Sequence, residues 1–247
     1  MSTVETPTIQ TTVGDLVTQR PSRSRVFEKL GIDYCCGGTR PLAELCEEKG
    51  LDANLILTVL LAAELDASSN EDDWSQSRLT KLADHIEQTH HAYLKRELPR
   101  LGGMVRKVAA VHGDRHPWML EINGVYAGFA AEMESHMLKE EQMLFPMIRC
   151  LESGEAGPVG DCGPGIGNPV RVMEHEHDDA GRALRRMRDL SNGFTPPPDA
   201  CNTFRAMMDG LAELEGDTHR HVHKENSMLF PRALERENQR EDRDANT

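Results

Sequence analysis

Apolar residues recur every three or four positions through most of the C-terminal two-thirds of the chain, the period of a helix that buries one face. Four long segments carry this pattern, roughly residues 78–111, 117–151, 169–191 and 198–238. They are separated by HGDRHP, by a Gly/Pro-rich stretch at 153–168 and by NGFTPPPD, all helix-breaking compositions. Upstream, from Val13 to about Leu65, shorter helical patterns break at Pro21, Gly37-Gly38, Pro41 and Gly50. The polar run ASSNEDDWSQS at residues 67–77 reads as a linker. Residues 1–12 and the polar tail from Glu235 are expected to fray. Strand-like alternation is nearly absent. The expectation is an all-α chain: a small helical domain over residues 1–70, then an up-down four-helix bundle over 71–247.

The stripes of the long helices are not wholly apolar. In the second, Ile122, Val125, Phe129, Met133, His136, Glu140, Met143 and Met147 step by three or four. In the fourth, Phe204, Met207, Leu211, Leu214, Thr218, His221, Glu225 and Met228 do the same. The third gives Val170, Met173, His177, Ala180, Leu184, Met187 and Leu190. His175, His219 and His223 each lie two residues from a stripe histidine, about 160° around the axis, and are expected to face outward. On the first helix, Leu94, Leu98, Leu101 and Val105 define the face. Phase leaves His90 and His91 both open there and slightly favours His90, while His85 reads as a surface or supporting residue.

The polar positions also repeat. HMLKEEQMLFPMI from His136 aligns without gaps to HVHKENSMLFPRA from His221. A single histidine precedes each pair by a similar distance: His91 to His136 is 45 residues and His177 to His221 is 44. A carboxylate in an apolar interior costs several kcal/mol unless a charge or cation compensates it, and no Lys or Arg shares the stripe of Glu140 or Glu225. Residues at i and i+4 sit one turn apart, so each His-x-x-x-Glu can offer a nitrogen and an oxygen to one centre. Four imidazoles and two carboxylates exceed the needs of one tetrahedral ion and divide into two centres bridged by both glutamates. With no thiolate among them, they favour iron, with manganese as competitor, over structural zinc. Glu132, one turn before His136, is a candidate hydrogen-bond partner or proton carrier.

Composition narrows the classes. The formal charge of −13 over 247 residues argues against nucleic acid as a partner. The apolar runs are too short to span a membrane, and the polar N-terminus lacks a secretory pattern, so the expected location is the cytoplasm. The six cysteines form no CxxC pair and are expected as thiols, with Cys46, Cys150 and Cys201 as small packing residues. Cys35-Cys36, followed by two glycines, is expected in an exposed turn. There the two thiols could receive iron, accept NO or form a mixed disulfide.

DYCCGG at Asp33–Gly38, HxxKEExMLFPMI, MExEHDxAG at Met173–Gly181, TPPPxAC at Thr195–Cys201 and ENxxLFPRAL at Glu225–Leu234 together resemble the repair-of-iron-centres (RIC) proteins. The resemblance covers about residues 13–234. It implies a hemerythrin-like bundle behind a cysteine-bearing N-terminal domain, with metal ligands at His91, His136, Glu140, His177, His221 and Glu225. It places the first ligand on His91 where phase left the choice open. It further implies a non-haem di-iron cofactor, two iron ions per chain with carboxylate and oxo bridges. The implied role is repair of iron–sulfur clusters damaged by nitrosative or oxidative stress, through iron donation or NO handling, with Cys35 and Cys36 as working residues beside Glu132, which its place on the helix offers.

Partners implied are damaged iron–sulfur proteins or a cluster scaffold, with NO or O₂ as small ligands; a homodimer is compatible. Two other readings of the centre stand beside this one. It could be an enzyme reducing NO to N₂O or consuming peroxide, or a module that binds or senses O₂ or NO.

Overall fold

The computed structural model describes residues 6–63, 74, 76–154 and 165–245; most of the expected linker, and Cys162, lie outside them. Every regular element among the described residues is helical, with one isolated bridge between Thr12 and Pro41. The chain forms two compact units, Met1–Ser77 with Val222–Pro231, and Arg78–His221 with Arg232–Thr247.

The first unit is built from short helices that stop where the sequence changes. α1 (Val13–Gln19) is capped by Thr12, whose Oγ1 accepts the Asp15 N–H at 3.1 Å. Pro21 opens a 3₁₀ turn, Pro21–Arg23, which leads into α2 (Ser24–Leu30). Gly31, in the left-handed region at φ 61°, ends α2. α3 (Leu42–Glu48) and α4 (Ala53–Ala63) follow. Val13, Leu16, Phe27, Tyr34, Leu42, Cys46 and Leu60 pack into the unit's core together with Val222.

The DYCCGG segment is held tightly in this unit. Gly14 N–H donates to Gly38 O at 2.8 Å, and a Cβ on Gly38 would stand 2.7 Å from Tyr34 O. Tyr34 is buried and its hydroxyl donates to Glu28 Oε1 at 3.0 Å. Cys35 is consequently only 3% exposed and Cys36 half-buried, which corrects the expectation of an exposed turn. The two glycines serve close backbone approach rather than a solvent loop.

The second unit carries the long helices, except that Val222–Pro231, the end of one long helix, a π turn and the start of the next helix, belongs to the first. α5 (Leu79–Ile86) passes through a π turn, Glu87–His91, into α6 (Ala92–His112). α7 (Trp118–Lys139) passes through a second, Glu140–Leu144, into α8 (Phe145–Ser153). α9 (Gly167–Leu190) follows. α10 (Asn202–Lys224) reaches a third π turn, Glu225–Leu229, and α11 (Phe230–Ala245) continues the helix well past Glu235, where fraying was expected. α7 packs against both α6 and α9. Leu98, Leu101, Val105, Ile122, Phe129, Met133, Leu184, Met187, Phe204 and Leu211 form the shared core.

Each π turn is marked by an N–H bonded five residues back: Ala92 to Glu87, Phe145 to Glu140 and Phe230 to Glu225. Pro146 and Pro231 follow two of them. Proline cannot donate and its ring collides with the carbonyl four residues earlier, so a widened turn relieves both problems. The first π turn has no such proline, so the residue is not a requirement. One extra residue per turn rotates everything downstream. Met143, placed on the buried stripe by strict 3.6 periodicity, is 57% exposed, and Leu144 and Ile148 are buried in place of Met143 and Met147.

Cys35, Cys36, Cys46 and Cys201 are free thiols, whereas Cys150 is disulfide-bonded, against the expectation of a thiol there. Among the described residues no helix is long and apolar enough to cross a membrane.

Candidate metal centre

The helices bring all six predicted positions together. His91, His136, Glu140, His177, His221 and Glu225 are each no more than 1% exposed. Their donor atoms form two groups, His91–Glu140–His221–Glu225 and His136–Glu140–His177–Glu225, with the atoms of each group within 4.8 Å of one another. Both groups contain both glutamates. Each histidine pair joins different helical segments: His91 Nε2 is 3.2 Å from His221 Nε2, and His136 Nε2 is 3.1 Å from His177 Nε2. Glu140 Oε2 lies 3.3 Å from the Nε2 atoms of both His91 and His136 and 4.0 Å from that of His221.

Two imidazole nitrogens held about 2.1 Å from one ion come to roughly 3 Å of each other, which is the spacing of both pairs. The donor set, all nitrogen and carboxylate oxygen, suits a first-row ion with exchangeable positions. The residues fit a binuclear metal site.

Carboxylates outside this cluster set the direction of the imidazoles. His91 Nδ1–H donates to Glu141 Oε1 at 2.8 Å, and His136 Nδ1–H donates to Glu176 Oε2 at 3.0 Å. A carboxylate can only accept, so Nδ1 carries the proton and the Nε2 lone pair turns toward the centre. Lysines anchor the carboxylates in turn: Lys95 Nζ reaches both Glu141 oxygens at 2.6 and 2.7 Å, and Lys139 reaches Glu176. The hydrogen bond from His136, aided by Lys139 and opposed by burial, pushes the Glu176 carboxyl down to about 2. Burial pushes Glu141 upward, but Lys95 and His91 outweigh it and hold that carboxyl below its ordinary range.

His90 and His91 are both buried, because the π turn at Glu87–His91 sets two successive residues inward. Only His91 enters a donor group. His90 donates from Nδ1 to Asp217 Oδ1 at 3.0 Å and stacks on the His221 ring at a centroid distance of 5.6 Å. His175 is exposed and His219 half-buried. His223 points away from the donor groups but is 3% exposed rather than solvated, with its ring edge-on to Tyr34 at 5.6 Å. Glu132 is exposed and lines a pocket of about 420 Å³ with His136, Lys139, His175, Glu176 and Asp179. Cys35 and Cys36 sit together in the first unit, their sulfurs 3.8 Å apart.

Sequence reasoning passed over Glu141, Glu176 and Asp217, and phase slightly favoured His90 where only His91 enters a donor group. Glu141 and Glu176 each adjoin a stripe residue, and a neighbour on one helix points toward the adjoining helix; that geometric rule was the available signal.

Residues 82–233 match the model of the hemerythrin HHE cation binding domain. Residues 9–64 match ScdA_N, described as a domain of unknown function. The chain is 39% identical over 222 residues to the iron–sulfur cluster repair protein YtfE of Escherichia coli O157:H7, covering 90% of this chain and 96% of that protein. Proteins of the same description from Escherichia coli O1:K1 and Escherichia fergusonii are 38% identical over the same shares.

Proposed function

The chain belongs to the hemerythrin-like family of iron–sulfur cluster repair proteins, and from that premise we propose that it restores damaged clusters by means of a di-iron centre. His91, His136, Glu140, His177, His221 and Glu225 are the proposed ligands. The observation that carries this is the sharing of Glu140 and Glu225 by two buried donor groups, each completed by its own histidine pair.

Iron bound there supplies one-electron chemistry and open positions for NO or O₂. The protein's own residues do the rest. Glu141 and Glu176 hold the Nδ1 protons of His91 and His136 and so keep the opposite nitrogens free to ligate. The pocket beside His136 sets Glu132, His175, Glu176 and Asp179, together with Lys139, among apolar lining from Ala131, Met133 and Ala180. Damaged iron–sulfur proteins are the clients, and iron delivered to them is the cargo.

Protein purified without oxygen should contain about two irons per chain, as the two-centre donor logic requires. Glu140→Leu should lose most of that iron and His175→Ala should keep it. Iron passing to a cluster-free client supports donation. Stoichiometric N₂O from NO, without transfer, supports the enzymatic alternative. Full iron content in Glu140→Leu would remove the ligand assignment.

A further inference from the structure

A second cluster of donors lies in the first unit, apart from the six residues above. Asp33, Cys35 and Cys36 present a carboxylate oxygen and two sulfurs within 4.8 Å of one another. The arrangement is built by the backbone. Asp33 Oδ1 accepts the N–H of Cys35 and the N–H of Cys36, both at 3.0 Å, and the Cys35 thiol at 3.2 Å. A short Asx-type turn therefore folds both sulfurs onto the side where the carboxylate stands. The turn is fixed at its far end by the Gly14–Gly38 approach and at its near end by buried Tyr34.

The two sulfurs are 3.8 Å apart, nearly twice the length of a disulfide bond. Adjacent cysteines reach ordinary disulfide geometry with difficulty, so a fixed turn of this kind keeps them as two separate ligands. Two sulfurs held at that spacing can grip one ion, and a carboxylate oxygen beside them completes one face of a tetrahedron.

We infer that Asp33, Cys35 and Cys36 form a tridentate site for one thiophilic first-row divalent cation of the ferrous or zinc class. On binding, each thiol gives its proton to solvent and its sulfur becomes a thiolate ligand, so two protons leave for the one ion that enters. Soft sulfur selects such ions over magnesium and calcium. Three protein ligands leave the fourth position open to water or another ligand. Cys36 is half-buried beside the buried Cys35. The site rests on its own residues and not on the loading of the His/Glu centre.

Cobalt(II) is the probe, added to full-length, iron-loaded protein with thiols reduced and oxygen excluded. The expected result is one further cobalt per chain with a strong near-ultraviolet sulfur-to-cobalt band, while the iron content stays constant. Cys36→Ser should lose about half the band, since its intensity follows the number of thiolate ligands. Cys35→Ser/Cys36→Ser should lose nearly all of it, and Asp33→Asn should keep the band but weaken binding about 10-fold. Cobalt entering the His/Glu centre would displace iron and give no sulfur band, so the two sites are read separately. Circular dichroism tests the fold of the double variant, and should that variant unfold, Cys36→Ser alone decides. No sulfur band in the wild-type protein, or a band unchanged in Cys36→Ser, overturns the inference.

Discussion

His136 and Glu176 stand on different helices, α7 and α9, yet Glu176 Oε2 receives the Nδ1–H of His136 at 3.0 Å. The carboxylate orients the ring without belonging to either donor group. Glu176→Gln should therefore weaken metal binding about 10- to 100-fold while leaving the helical content intact. Chelator competition on the loaded protein measures the first effect and circular dichroism the second. An unchanged affinity would mean that the ring is held by packing alone.

The π turn at Glu140–Leu144 separates packing from the site. Gln142 is exposed within it. Deleting Gln142 would restore a regular helix and place Leu144 and Ile148 on the same stripe three and seven positions after Glu140. The expected product is a bundle destabilised by about 3 kcal/mol, because a regular turn returns the Pro146 ring to the carbonyl four residues earlier. Its iron content should fall, because Glu141 no longer faces His91. Retention of both melting temperature and iron content would show that the widened turn is dispensable.

Glu152 accepts the backbone N–H groups of Leu79 and Thr80 at 2.9 and 3.0 Å and so caps the start of α5. Burial raises its pKa, but the Thr80 and Leu79 hydrogen bonds outweigh that and hold it below the ordinary range. A carboxyl lowered on folding stabilises fully above its unfolded value, about 4.3. That contribution is lost as pH falls through the lower folded value. Glu152→Gln should cost about 1 kcal/mol at neutral pH, the scale of a lost helix cap. The gap from wild type should close under strong acid, which urea unfolding at both pH values will measure.

Two glycines should respond oppositely to alanine. Gly38→Ala would set a Cβ 2.7 Å from Tyr34 O, a backbone atom that cannot swing aside. It should cost about 1–3 kcal/mol. Gly103 lies exposed in α6 with nothing within 4 Å of a Cβ, so Gly103→Ala should gain about 0.5–1 kcal/mol. Chemical denaturation of both variants checks the pair.

Five of the six proposed donors could be read from helical phase, because His136–Glu140 and His221–Glu225 repeat on otherwise apolar stripes and His177 sits on a third. His91 was chosen over His90 only through the family resemblance. What lay beyond that reading has two physical causes. Periodicity assumes a constant turn, and the π turns break it. His90 therefore shares burial with His91, and Leu144 takes the place assigned to Met143. Pairings between helices, such as Glu141 with His91, depend on which faces meet, and a single helix's pattern carries no information about its neighbours. Cys35 was placed in solvent for a related reason: the burial of the glycine turn depends on Gly14, many residues away.

The histidines that meet in each donor group come from segments far apart in the chain, His91 with His221 and His136 with His177. Under the proposed assignment, each ion then works as a rivet between helices. By mass action, a chain with both rivets in place is harder to unfold than one without them. Metal supply would thereby govern how long the folded molecule survives proteolysis as well as what it can do.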